Sequence, residues 1–132
     1  MTRLAFVCVQ NAGRSQMATA FAEREVERRG LDWEVVTGGT HPADHVHDEV
    51  VASMQGRGID LSGRTPTSVS TEELEACDVV ATMGCSTLSL DADVDVRDWA
   101  LTDPDGKSPD EVAEIREEVE RRVVALFDEF ES

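Results

Sequence analysis

Short apolar runs alternate along the chain with stretches in which apolar residues recur every three or four positions. Leu4–Val7, Trp33–Thr37, Val79–Met83 and Val94–Arg97 read as strands, and Ser15–Arg29, Val46–Gln55, Thr71–Ala76 and Pro109–Phe130 as helices. Behind the first strand, Met17, Ala18, Ala20, Phe21, Ala22 and Val26 make one apolar helical face. The last helix, entered at Ser108-Pro109, carries Val112, Ile115, Val119, Val123, Leu126, Phe127 and Phe130 at helical spacing, which predicts core packing. This alternation predicts an α/β fold of three layers, a four-stranded parallel sheet covered on both faces. No repeat or linker divides the 132 residues, so one domain over 1–132 is expected.

Composition narrows the function. The formal net charge is −16, from 28 acidic and 12 basic residues, and Lys107 is the sole lysine. That balance argues against nucleic acid as a partner. The acids are spread from Glu23 to Glu131 and interrupt helical patterns, as a solvated surface adapted to high salt would have them. No apolar stretch suits a membrane, and Leu4 to Val9 reads as a short strand, not a signal peptide, so a cytoplasmic location is expected. The three cysteines are well separated and lack a CxxC pair, which argues against a disulfide framework and a structural zinc site.

The chemistry concentrates in Cys8-Val9-Gln10-Asn11-Ala12-Gly13-Arg14-Ser15, between the first strand and the first helix. Helix-opening N–H groups lack partners within the helix and carry the positive end of its dipole, and successive amides of a tight loop form a nest for an anion. Arg14 adds a planar two-pronged donor. The same field favours thiolate over thiol at Cys8 and so predicts a nucleophile. Ser15 can donate to that thiolate, and Asn11 can take left-handed geometry or tie the loop with its amide. Oxyanion-binding candidates are therefore Val9, Gln10, Asn11, Ala12, Gly13, Arg14 and Ser15. A departing oxygen needs a proton, which Asp103 could supply; Pro104 stiffens its loop.

The Cys8–Ser15 segment resembles the active-site loop of the low-molecular-weight protein tyrosine phosphatases and of the arsenate reductases that share their fold. The resemblance runs from the first strand through Asp103-Pro104 to the final helix. Arg14-Ser15-Gln16-Met17-Ala18 is similar to the reductase branch, where the phosphatases usually have proline at the position of Gln16. Asn11-Ala12-Gly13 resembles actinobacterial-type reductases, and Thr82-Met83-Gly84-Cys85 and Asp98 to Pro104 also look like reductase segments. The resemblance implies a low-molecular-weight phosphatase-like sheet with flavodoxin-like winding, and the acidic composition suggests a halophilic, archaeal version of it. It also implies Asp103 as the acid. The phosphatases usually grip a phenyl ring with an aromatic near Asp105-Gly106, and this chain has no tyrosine.

Cys85 separates the main readings. A phosphatase needs one thiolate, whereas a reductase needs a second thiol to attack the first sulfur, and Cys85 follows an apolar strand where that thiol belongs. Cys77 lies at the other end of the strand, roughly 20 Å or more from Cys85 at about 3.3 Å per residue, and is expected to be structural. Thioredoxin-coupled reductases resembling this chain have another cysteine shortly after the position of Cys85, but 86–93 contains none. A low-molecular-weight thiol attacking the Cys8 adduct, or a redoxin attacking a Cys8–Cys85 disulfide, would supply the electrons. His41, His45 and His47, with Asp44 and Asp48, read as loop or helix-cap residues, with no metal required; in the resemblance they border the pocket. No cofactor is expected. The reading is an arsenate reductase acting on arsenate or a phosphate-like oxyanion through Cys8, Arg14, Asp103 and Cys85. The alternatives are a phosphomonoesterase that ignores Cys85 and a non-enzymatic oxyanion-binding regulatory protein.

Overall fold

A computed structural model describes residues 2–83, 94–99, 101–104 and 106–131. Its strands are β1 (Arg3–Cys8), β2 (Glu34–Gly39), β3 (Val79–Thr82) and β4 (Asp95–Asp98), and its helices α1 (Arg14–Arg29), α2 (Asp48–Gln55), α3 (Thr71–Glu75) and α4 (Pro109–Glu131). The four strands form one parallel sheet in the order β2-β1-β3-β4, as the expected winding requires.

β1 is buried along Leu4–Cys8 because helices cover both faces of the sheet. Leu4, Phe6 and Cys8 turn to one face and join Phe21, Met54, Val119 and Phe127 from α1, α2 and α4 in the larger core. Ala5 and Val7 turn to the other face and meet Leu74, Cys77 and Val80. Among the described residues no helix is long and apolar enough to cross a membrane.

Helix ends carry their own chemistry. Ser108 and Glu111 exchange side-chain and backbone bonds around Pro109 at the start of α4, and Ser70 and Glu73 do the same at α3. Gly30 closes α1 in the left-handed conformation, φ 64°.

Several boundaries differ from expectation. α2 starts at Asp48 and not at Val46, because the preceding segment is pinned to the Cys8 loop and the carbonyl of His47 receives the first helical amides, those of Val50 and Val51. β2 omits Trp33, whose ring stacks on Phe127, and runs through Gly38 and Gly39. Phe130, expected in the core, is 37% exposed. It lies in the last turn of α4 with the Arg97 guanidinium over its ring. Cys77 is buried just before β3, as expected of a structural cysteine. Its thiol donates to the Glu73 carbonyl, and burial pushes it up, keeping it protonated.

Candidate active site

β1 and β3 are neighbours although β2 intervenes in sequence, so the chain order reverses at β1. In open α/β sheets the crevice beyond the carboxyl ends of the strands at such a point receives ligands. Cys8 is the last residue of β1, and the turn from it into α1 forms the floor of that crevice.

The turn is inverted relative to its surroundings. Its carbonyls point into the protein: Val9 accepts from the amide of His41 at 2.8 Å, Gln10 from Ala43 at 2.9 Å and Ala12 from His47 at 3.0 Å. Among the described residues the amides of Val9, Gln10, Ala12, Gly13, Arg14 and Ser15 meet no acceptor. They are the orphan donors of a helix start, in a turn whose α1 carries no acidic residue in its first turn. β2 can approach this closely only at a glycine, since a Cβ on Gly39 would stand 2.5 Å from the Val9 oxygen.

The sulfur of Cys8, 4% exposed, lies 3.2 Å from the Asn11 amide and 2.8 Å from the Ser15 hydroxyl. Either atom of the second contact can donate, and neighbouring bonds set what surrounds it. The Thr67 amide can only donate, so the atom of Asn11 it meets at 3.0 Å is the carboxamide oxygen. The Asn11 NH2 then faces Ser15 at 2.8 Å and Thr37 at 2.9 Å. Thr37 sends its own proton to the Phe6 carbonyl at 3.0 Å and so accepts from Asn11. Ser15 likewise accepts from Asn11, and its proton turns to the sulfur where Cys8 is the thiolate, which can only accept. The Asn11 N–H points at the sulfur, and a Cys8 thiolate would receive the Ser15 hydroxyl as a second donor. Asn11 reaches both groups because it sits at φ 52°, a left-handed position that asparagine tolerates.

A cavity of about 410 Å³ opens above the sulfur, lined by Cys8, Val9, Gln10, Gly13, Arg14, His47 and Asp103. Arg14 is held from below, Nη1 donating to the Leu101 carbonyl at 2.9 Å, and Nη2 stands 3.9 Å from Asp103 Oδ2. Pro104 packs on the turn, where a Cβ on Gly13 would meet its ring at 3.2 Å. The structure therefore brings together Cys8, the oxyanion loop, Arg14 and Asp103. Cys85 lies outside the described residues. His47 was placed at the pocket border by resemblance; it lines the cavity, and its ring meets Gln10 Oε1 at 3.0 Å. His41 and His45 are not among the lining residues. The supporting roles of Thr37, Thr67, Gln16 and the Leu101 carbonyl escaped the sequence reading. The one available signal was a glutamine on an otherwise apolar helical face.

A sulfur nucleophile under an amide nest, with a fork-shaped cation on one side and a carboxyl on the other, defines a class of cysteine-dependent oxyanion enzymes. The chain belongs to the family described as low molecular weight phosphotyrosine protein phosphatase, whose model matches residues 3–132. Within that family it is 70% identical to a Halobacterium salinarum protein named "Putative arsenate reductase", over 98% of this chain and 93% of the relative. It is 34% identical to the "Glutaredoxin arsenate reductase" of a Synechocystis species, over 96% of this chain and 97% of the relative. A solved structure described as an arsenate reductase in the phosphate binding state is 31% identical, with a TM-score of 0.81 and 98% of each chain covered.

Proposed function

We propose that the protein is a thiol-dependent arsenate reductase. The observation that carries this reading is the Cys8 sulfur, with the Asn11 amide and the Ser15 hydroxyl at hydrogen-bond distance, on the floor of a cavity that also holds Arg14 and Asp103. Arsenate sits on the loop amides of Val9, Gln10, Ala12, Gly13, Arg14 and Ser15 and in the fork of Arg14, whereas Asn11, expected among the oxyanion donors, gives its amide to Cys8. The Cys8 thiolate attacks arsenic while Asp103 protonates the oxygen that departs as water, leaving a sulfur–arsenic adduct. A second thiol, Cys85 or an external one, then attacks the Cys8 sulfur. The sulfur–arsenic bond breaks, its electron pair stays on arsenic, and arsenite and a disulfide are the products.

The named reductases at 70% and 34% identity support this choice of substrate, and the structure solved in a phosphate-binding state supports a tetrahedral oxyanion in the loop. The cavity wall supports it too: among the described residues no Phe, Tyr or Trp side chain lines it. A redoxin or a low-molecular-weight thiol would reduce the disulfide, in a cytoplasm that keeps thiols reduced.

The test is arsenite production from arsenate by reduced protein in single turnover in concentrated potassium chloride, with Cys8→Ser and Cys85→Ser alongside. A stoichiometric burst lost in both variants supports the reading with Cys85 as resolving thiol, and a burst that survives Cys85→Ser when small thiols are added assigns that step to an external thiol. No burst from folded protein, together with hydrolysis of a phosphate monoester that survives Cys85→Ser, would replace the reductase by a phosphatase.

A further inference from the structure

Gln16 is 1% exposed, one turn into α1, with its carboxamide turned back toward the loop. Its NH2 donates to the main-chain oxygen of Asn11 at 3.0 Å and to the Asn11 Oδ1 at 3.1 Å. Both acceptors are certain in kind: one is a peptide carbonyl, and the other is fixed as oxygen by the Thr67 amide. Both hydrogens of Gln16 are thereby committed to one residue. Its own Oε1 is left buried without a hydrogen-bond partner. A buried acceptor in that state costs stability, so the amide is retained there against a local penalty.

Asn11 is the residue on which the sulfur's environment depends. Its amide points at Cys8, and its side chain orients the Ser15 hydroxyl toward the same atom. Both require the left-handed backbone at φ 52°, which is strained for a side chain and persists only if its surroundings hold it. We propose that Gln16 is a positioning residue for the nucleophile, clamping the main-chain and side-chain oxygens of Asn11 together so that both hydrogens reach Cys8. A proline at this site fits the first turn of a helix but has no donor to offer Asn11.

The inference rests on Cys8 being the reactive thiol, and its test needs no arsenate. Alkylation of Cys8 by iodoacetamide at neutral pH, followed by peptide mass mapping to separate Cys8 from Cys77 and Cys85, reads the sulfur directly. Gln16→Met keeps the length and volume and removes the clamp. It should slow Cys8 alkylation about tenfold, the worth of one charge-assisted hydrogen bond, with unchanged cooperative melting. Asn11→Ala should slow it at least as much, and the double variant no further, because the two substitutions break one chain of contacts. Gln16→Pro, suited to a first helical turn, replaces Gln16→Met if the latter fails to fold, with the same expectation. Wild-type rates in a folded Gln16 variant, or additive losses in the double variant, would overturn the inference while leaving the reductase reading intact. Slow alkylation of Cys8 in the wild type would sink the nucleophile itself, and the clamp with it.

Discussion

The guanidinium of Arg14 and the carboxyl of Asp103 face one another across the cavity, Nη2 to Oδ2 at 3.9 Å. On the proposed reading an oxyanion in the fork of Arg14 would stand beside Asp103, which would hand a hydrogen to the departing oxygen. Asp103→Asn keeps the shape of the loop and removes the acid. The arsenite burst should slow by about 10²–10⁴-fold, while competitive inhibition by inorganic phosphate is not weakened. Stopped-flow turnover and phosphate titration of the same preparation check both halves.

In the proposed reaction Arg14 does two jobs that a lysine cannot combine, since it donates to Leu101 through Nη1 and would hold the anion with its remaining donors. Arg14→Lys preserves the charge and loses the fork. Protection of Cys8 from alkylation by phosphate should need about tenfold more phosphate or above, a shift read from the concentration dependence of the alkylation rate.

With 28 acids against 12 basic residues, most carboxylates have no cation to pair with. Arginine networks take up some, as Arg29 does with Glu25, Asp128 and Glu131, and as Arg24 and Arg57 do with Glu120. Salt weakens such pairs but also screens the surplus, whose repulsion reaches only about 3 Å at 1 M. The surplus is the larger quantity, so the melting temperature should rise as potassium chloride increases from dilute buffer to molar concentrations. Calorimetry across that series gives the answer, and a falling midpoint would contradict it.

Glu120 gives a pH dependence with a definite sign. Burial pushes its carboxyl up, but hydrogen bonds from Arg57 and Arg24 outweigh burial and hold it below the ordinary glutamate value near 4.5. A depressed carboxyl contributes stability that is complete above the ordinary value and is lost as pH falls through its own lower value. Glu120→Gln removes that contribution, so its melting temperature should fall less than that of the wild type between neutral pH and pH about 3. Parallel melting curves against pH for the two proteins would refute this.

The parts of the fold that local pattern specifies were legible. The four strands, the order of the helices and the capped start of α4 at Ser108-Pro109 follow from apolar period and turn chemistry, with edges moved by a residue or two. Cys8, Arg14 and Ser15 were legible because their spacing places them on one turn between a strand and a helix. The Asn11 alternatives, left-handed geometry or an amide tie, turn out both to hold. What escaped depends on contacts between distant segments. Thr37 and Thr67 meet Asn11 from 26 and 56 residues away, and Leu101 meets Arg14 from 87. Hydrophobic period carries no trace of such pairs. Phe130 was misplaced for the opposite reason, since period alone cannot say where a helix outruns its core.

The chain of contacts behind Cys8 begins at one main-chain group, the Thr67 amide, and ends at another, the Phe6 carbonyl. Neither can exchange the role of donor for acceptor, so the backbone itself sets the sense in which every hydroxyl and carboxamide between them turns. On the proposed reading the sulfur beside this chain would be prepared alike for any electrophile that enters, whether arsenic or phosphorus. The fate of the adduct is decided afterwards, by which nucleophile arrives first, water at the bound atom or a thiol at Cys8. One scaffold can in this way host two chemistries that diverge only after their first bond is made.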